Sequence, residues 1–226
     1  MARTMSPPPG ILARGPWAME QILATWDADH YDPPSSATDA ADAAMRALAE
    51  RGSPSHDGVA ARLVDWSTTP DGLLTLRLQP IRWGLRLVEG DASSSVAALC
   101  IVRDSAGRWL AGRRAAWLSS WPGRWALGAG GAVDLGESPA DTLVRELREE
   151  WSVAPAQVHG EALVRLPHQM VMLVGQAWLA DGVHEDVVMD SEHDELAWWP
   201  ADIDDWPSTA DEPLRRMARL LPANHE

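Results

Sequence analysis

The sequence predicts an α/β or α+β fold, and three observations carry that prediction. Its 226 residues are 46% apolar, enough for one compact domain with a real core and a smaller appendage. From Val96 onward, short apolar runs of strand length alternate with turn clusters. One of those runs ends in a Gly-Gly loop that opens into a well-capped helix, Pro139 to Trp151.

Residues 1–16 are rich in proline and small residues and read as a flexible tail. Residues 17–93 read as an extension of helices and a β-hairpin. Trp17 to Asp29 is expected to be helical, because Met19, Ile22, Leu23 and Trp26 recur at helical spacing; Asp32-Pro33-Pro34 breaks it. The alanine-rich run Thr38 to Glu50 predicts a second helix, stopped at Arg51-Gly52. Val59 to Trp66 and Leu73 to Leu78 are strand-like and flank Thr69-Pro70-Asp71-Gly72, a hairpin turn; Ile81 to Val88 continues the β pattern. A soft boundary near residue 93 precedes a domain over 94–226. There the expected strands are Val96 to Arg103, Arg108 to Arg113, Trp125 to Val133 (broken by glycine), Glu161 to Leu166, Val171 to Leu179 and Leu196 to Trp199, with a last helix from Pro213 to Leu221.

Composition narrows function. The formal charge is −14, from 33 acidic and 19 basic residues, and no basic stripe is visible, so a nucleic-acid polymer is not an expected partner. Every basic residue is arginine, so no lysine nucleophile or Schiff base is available. Cys100 is the only cysteine, which excludes an intrachain disulfide and a cysteine-rich zinc site. No apolar run reaches the ~18 residues of a membrane span, and the start lacks a signal-peptide pattern. A cytoplasmic location and no membrane partner are expected.

The chemistry concentrates between Gly130 and Val153. Ser138, Pro139 and Asp141 form a helix start, with a hydroxyl N-cap, proline at the first position and a carboxylate near the positive end. Ala140, Leu143, Val144, Leu147 and Trp151 make one apolar face. Glu146, Glu149 and Glu150 stand at i, i+3 and i+4 and gather three carboxylates on another. Carboxylates ~5–6 Å apart repel by roughly 3 kcal/mol per pair at an effective dielectric near 20. A hard divalent cation reverses the sign, since Mg2+ and Mn2+ prefer carboxylate oxygen.

This segment resembles the Nudix box: Gly131, Glu137, Arg145, Glu146, Leu147, Glu149, Glu150 and Val153 fill eight of nine defined positions, and only the last glycine departs, as Ser152. The resemblance, over roughly Val96 to Leu221, implies the Nudix fold, a mixed β-sheet sandwiched between helices. It implies a Mg2+- or Mn2+-dependent hydrolase of phosphoanhydrides in a small nucleotide. Glu146, Glu149 and Glu150 would hold metal, with the Gly130 carbonyl as a further candidate, and Glu149 and Glu150 would take part in catalysis. Arg145 would pair with Glu137 to fix the loop on the helix. Arg113 and Arg114 sit where the family often carries basic residues against a diphosphate. The acidic loop before Trp198 offers another metal ligand or base, Glu195 first and Glu192 second.

For the substrate, a nucleotide sugar or ADP-ribose is expected first, because N-terminal residues with β-hairpins are shared with those Nudix enzymes. The alternative is an oxidised nucleoside triphosphate: the C-terminal segment resembles the MutT branch, with Asp211 where that branch carries a purine-reading asparagine. Minor alternatives are an isopentenyl-diphosphate isomerase, which would need Cys100 as an acid, and a non-catalytic nucleotide sensor. The extension is open to three roles: forming a homodimer, covering the site, or selecting the sugar. His168, His184 and His193 show no metal-ligand spacing and are expected to be structural or surface residues.

Overall fold

The computed structural model describes residues 8–221. In chain order it contains β1 (Gly10–Ala18), β2 (Ile22–Trp26), α1 (Ser35–Glu50), β3 (Val59–Thr68), β4 (Leu74–Arg82), β5 (Val96–Arg103), β6 (Trp109–Arg114), β7 (Trp125–Leu127), β8 (Ala129–Ala132), α2 (Pro139–Trp151), β9 (Gln157–Arg165), β10 (Val171–Trp178), β11 (His193–Trp199) and α3 (Glu212–Ala218). Among the described residues these form two sheets. The larger runs β1-β9-β10-β5-β6-β11, with β7 on β6 and β8 on β5; the smaller is β2-β4-β3. The larger sheet is mixed, because β10 and β5 are parallel while their other neighbours are antiparallel.

Alternation along β5 explains the layering. Ala98, Cys100 and Val102 face the cluster that holds Leu143, Leu147 and Trp151 of α2, whereas Ile101 faces the cluster that holds Leu214 and Ala218 of α3. The sheet is therefore covered by α2 on one face and α3 on the other, as the resemblance implied. Ile22, Leu74, Leu76 and Leu78 of the smaller sheet lie in the same buried cluster as α2. The smaller sheet thus shares this core, while Ala41, Ala60, Ile81 and Leu85 form a second buried cluster that Ala132 joins to the larger sheet.

Three expectations need correction. The tail read over 1–16 is strand from Gly10, paired with β9; residues 1–7 lie outside the described residues. No helix spans Trp17 to Asp29: Trp17 and Ala18 close β1, a 3-10 turn covers Met19–Gln21, and β2 runs parallel to β4. The helical spacing of Met19, Ile22, Leu23 and Trp26 is real, but pairing with distant strands overrides it. The β run read through Val88 stops at Arg82, where Trp83–Leu87 turn into a 3-10 helix. The hairpin, by contrast, forms as expected: β3 and β4 are antiparallel, and the Thr69 hydroxyl accepts from the Leu73 N–H at 3.0 Å.

No helix among the described residues is long and apolar enough to cross a membrane.

Candidate active site

The site is built where β8 leads through a loop into α2. Ser138 caps the helix: its Oγ accepts from the Asp141 N–H at 3.2 Å, while the Asp141 carboxylate accepts from the Ser138 N–H at 2.8 Å. At the far end, Ser152 takes the left-handed conformation (φ 56°) that glycine adopts most easily, at a cost of about 1 kcal/mol. Both ends are therefore fixed, and the faces of α2 are set.

Arg145 ties the loop to the helix. Its Nε and Nη2 donate to the two oxygens of Glu137 at 2.9 and 3.1 Å, and Nη2 also donates to the Ala132 carbonyl at 2.9 Å. Burial alone would raise the Glu137 pKa, but hydrogen bonds from Arg145 and Thr142 outweigh it and hold the carboxyl below its ordinary value. The ion pair expected from the sequence is present.

Glu146 and Glu150 are both buried. The Glu146 carboxylate lies so close to Gly131 that a Cβ there would overlap it. Glu150 Oε1 accepts from the Gly130 N–H at 2.9 Å, while Oε2 is buried with no hydrogen-bond partner. Burial raises the Glu146 pKa, and Arg145 only partly offsets it. Burial and then the neighbouring Glu146 raise the Glu150 pKa well above its ordinary value. Glu149 is placed differently: its side chain is 58% exposed and accepts from Arg145 Nη1 at 3.0 Å, the nitrogen that also reaches Glu146 at 2.7 Å. The three glutamates thus divide into a buried pair and an outward one held by arginine. Among the described residues no three acidic, histidine or cysteine side chains meet at metal-ligand distance.

In the acidic loop before β11, Glu192 lies toward Glu150, while Glu195 faces Arg113. Glu195 pairs with Arg113 across the β11–β6 ladder at 3.1 Å and is exposed. Glu192 is half-buried and close enough to Glu150 to raise its pKa; burial raises its own, and Arg114 and Arg86 pull it back. Arg114 also acts on Glu150 while its Nε donates to the Ser120 carbonyl at 3.0 Å. Of the two arginines singled out in the sequence, Arg114 faces the cluster and Arg113 is engaged by Glu195. Asp211 caps α3, accepting from the Leu214 N–H at 3.0 Å, and pairs with Arg124. With Arg113, Arg124, Trp125 and Glu195 it lines an open cleft of about 610 Å³.

Two further residues belong to the site. His193 is buried beside Trp151, with ring centroids 4.3 Å apart; its Nε2 is 3.7 Å from the unpartnered Glu150 Oε2 and its Nδ1 is 3.3 Å from Asp190. Arg86, from the 3-10 turn after β4, acts electrostatically on Glu146, Glu192 and Asp134. Neither carries a spacing signal in the sequence. Cys100 is fully buried in the apolar core and its thiol pKa is pushed up by that burial, so the acid the isomerase reading requires is not available.

The residues present fit a hard divalent cation. Glu146 and Glu150 are crowded, buried carboxylates whose pKa values are raised first by burial, and Glu150 Oε2 is buried with no hydrogen-bond partner.

A family model described as the NUDIX domain matches residues 94–220. The NAD-capped RNA hydrolase NudC of Mycobacterium tuberculosis (strain H37Rv) is 31% identical over 135 residues, which cover 57% of this chain and 40% of that protein. The chain thus spans about two fifths of the length of the curated relatives it matches. Among solved structures, the MutT protein from Methanosarcina mazei is 22% identical over 55% of this chain and 93% of its own, with a TM-score of 0.42. The Nudix hydrolase RenU from M. smegmatis is 21% identical over 72% and 99%, with a TM-score of 0.41.

Proposed function

Because the chain belongs to the Nudix family, we propose that it is a Mg2+- or Mn2+-dependent pyrophosphohydrolase. Its substrate is a nucleoside diphosphate linked to another moiety, a nucleotide sugar or ADP-ribose first. The observation that carries the reading is the buried Glu146–Glu150 pair with its unpartnered oxygen, faced by Arg114. Glu146 and Glu150 would hold the cation, with Glu149 as a third ligand once it leaves Arg145. When bound, a divalent ion neutralises these carboxylates, lowers the pKa of water and offsets charge on the leaving phosphate.

The chain's own residues do the rest. Arg145 and Glu137 keep the loop and α2 in register, so that the carboxylates do not drift. Arg114 binds diphosphate oxygens. Glu192, held close to Glu150 and raised in pKa, accepts the proton of the attacking water. The cleft of Trp125, Arg124 and Asp211 takes the base or the second moiety. A diphosphate linked to a second group also agrees with the name of the mycobacterial relatives, since NAD is a nucleoside diphosphate joined to another nucleoside. The formal charge of −14 argues against an RNA chain as a docking partner here.

The test is a panel of nucleotide sugars, ADP-ribose, NAD, an NAD-capped RNA and nucleoside triphosphates, each with Mg2+ or Mn2+. Wild type is compared with Glu150→Gln and Glu192→Gln. Metal-dependent turnover of a linked diphosphate that collapses in Glu150→Gln supports the reading. Preference for a triphosphate moves the substrate to the MutT type. Turnover equal in all three proteins removes the site.

A further inference from the structure

One of the places where the N-terminal extension meets the site loop is a short turn. Trp83–Leu87 forms a 3-10 helix directly after β4. It is pinned from two sides: the Trp83 N–H donates to the Gly58 carbonyl and the Gly84 N–H to Asp57 Oδ1, each at 2.8 Å. Leu85 is fully buried in a cluster with Ala60, Ile81 and Ala132. Ala132 is the residue after Gly131, against which the Glu146 carboxylate rests, and its carbonyl binds Arg145. Two backbone links hold the extension to the same loop: Ala60 bridges Asp134, and the Ala61 N–H donates to the Val133 carbonyl at 2.9 Å. The turn therefore cannot move independently of the loop that carries the acidic cluster.

Arg86 sits in this turn, with its guanidinium over the Trp83 ring, 5.3 Å from the centroid. Glu146, Glu192 and Asp134 attract it and Arg114 repels it. Yet among the described residues no carboxylate lies within ion-pairing distance of it. A guanidinium stays charged in a protein whatever its burial. Here it is held partly out of water, in the repulsive field of the Arg114 guanidinium, and without a direct counter-ion. The cost of placing two cations together is recovered when an anion with oxygens on two phosphorus atoms lies between them.

We propose that Arg86 binds the substrate diphosphate together with Arg114, so that residues 17–93 complete the active site and do more than support it. The proposal rests on the pyrophosphohydrolase reading above, because the ligand is the diphosphate that site would cleave. A residue that only neutralised the carboxylates would act on metal affinity and stability; a phosphate-binding residue acts on affinity for the nucleotide.

The two are separated with α,β-methylene-ADP, a diphosphate that cannot be cleaved, titrated calorimetrically in saturating Mg2+ into wild type, Arg86→Gln and Arg86→Lys, alongside a Mn2+ titration without nucleotide. Loss of one charge-assisted contact should weaken analogue binding by about 10- to 100-fold in Arg86→Gln, with partial recovery in Arg86→Lys. Mn2+ affinity should stay equal or rise, since a nearby cation has been removed. On the substrate identified by the panel, KM should rise more than kcat falls. Equal analogue binding by wild type and Arg86→Gln overturns the proposal and leaves the hydrolase reading intact. Mn2+ affinity falling while analogue binding is unchanged also overturns it, and assigns Arg86 a structural role. If wild type neither binds the analogue nor cleaves any diphosphate, both readings fall together.

Discussion

Replacing Glu150 with glutamine should make the metal-free protein more stable while removing its turnover. The Glu150 side chain is 4% exposed, its Oε1 is held by the Gly130 N–H at 2.9 Å, and its Oε2 has no partner. Glutamine keeps the accepting oxygen and removes the charge. Residues one helical turn apart have Cβ atoms about 5–6 Å apart, and two carboxylates at that spacing repel by about 3 kcal/mol at an effective dielectric near 20. Allowing for imperfect placement of the new amide, the gain should be about 1–3 kcal/mol. At about 2–4 °C per kcal/mol for a chain of this size, the melting temperature should rise by about 2–12 °C. The pH dependence follows from the same groups. Glu146 and Glu150 have folded-state pKa values above the ordinary 4.5, so the folded protein binds protons more tightly than the unfolded chain. Metal-free wild type should therefore lose stability as pH rises from about 4.5 through those raised values, and Glu150→Gln should lose less. Mn2+ at 100 times its dissociation constant should return about 2.7 kcal/mol to wild type and far less to the variant. Scanning calorimetry in chelator at pH 5 and pH 8, then with Mn2+, reads all of this. A variant that melts below wild type in chelator at pH 8, or an equal Mn2+ shift in both, refutes the reasoning.

Other perturbations test separate parts of the account. Gly131→Ala should push the Glu146 carboxylate aside and lower turnover by about 100-fold, because catalytic groups displaced by about 1 Å lose that much; a variant with normal kcat would show that Glu146 is not where the chemistry needs it. Arg145→Lys keeps the charge but loses the two-pronged grip on Glu137 and the bond to the Ala132 carbonyl, so the urea midpoint should fall by the equivalent of about 1–3 kcal/mol; no change would mean the fork contributes nothing. Cys100, fully buried and raised in pKa, should release no thionitrobenzoate from Ellman's reagent until the protein unfolds; rapid labelling of native protein would place it at an accessible site and revive the isomerase reading.

The helix that carries the candidate site was legible because its determinants are local. Ser138, Pro139 and Asp141 fix its start, the apolar spacing of Leu143, Leu147 and Trp151 fixes its face, and α2 runs over Pro139–Trp151 as read. Val96–Arg103 was likewise legible from a continuous apolar run. Where the outcome depended on partners far along the chain, local reading failed. Ile22, Leu23 and Trp26 fit a helix by spacing but sit in β2, because β4 offers a parallel edge there. The spacing from Trp198 gives no sign of how the acidic loop places Glu192 and Glu195. A register shift between His193 and Glu195 sets Glu195 opposite Arg113, while Glu192 stays outside the strand and near Glu150. The convergence of Glu146, Glu149 and Glu150 was read from an ideal helix face, and Arg145 divides them. Arg86 could not have been singled out: only the packing of Leu85 on Ala132 brings it to the acidic cluster.

Direct measurement of metal binding tests the central claim most sharply. Calorimetric titration of Mn2+ into wild type and into Glu146→Gln/Glu150→Gln should show saturable binding in the first and its loss, by at least about 100-fold, in the second. Equal binding by both proteins, or none by wild type in the presence of a nucleoside diphosphate, would contradict a cation-assisted site on the C-terminal half of α2.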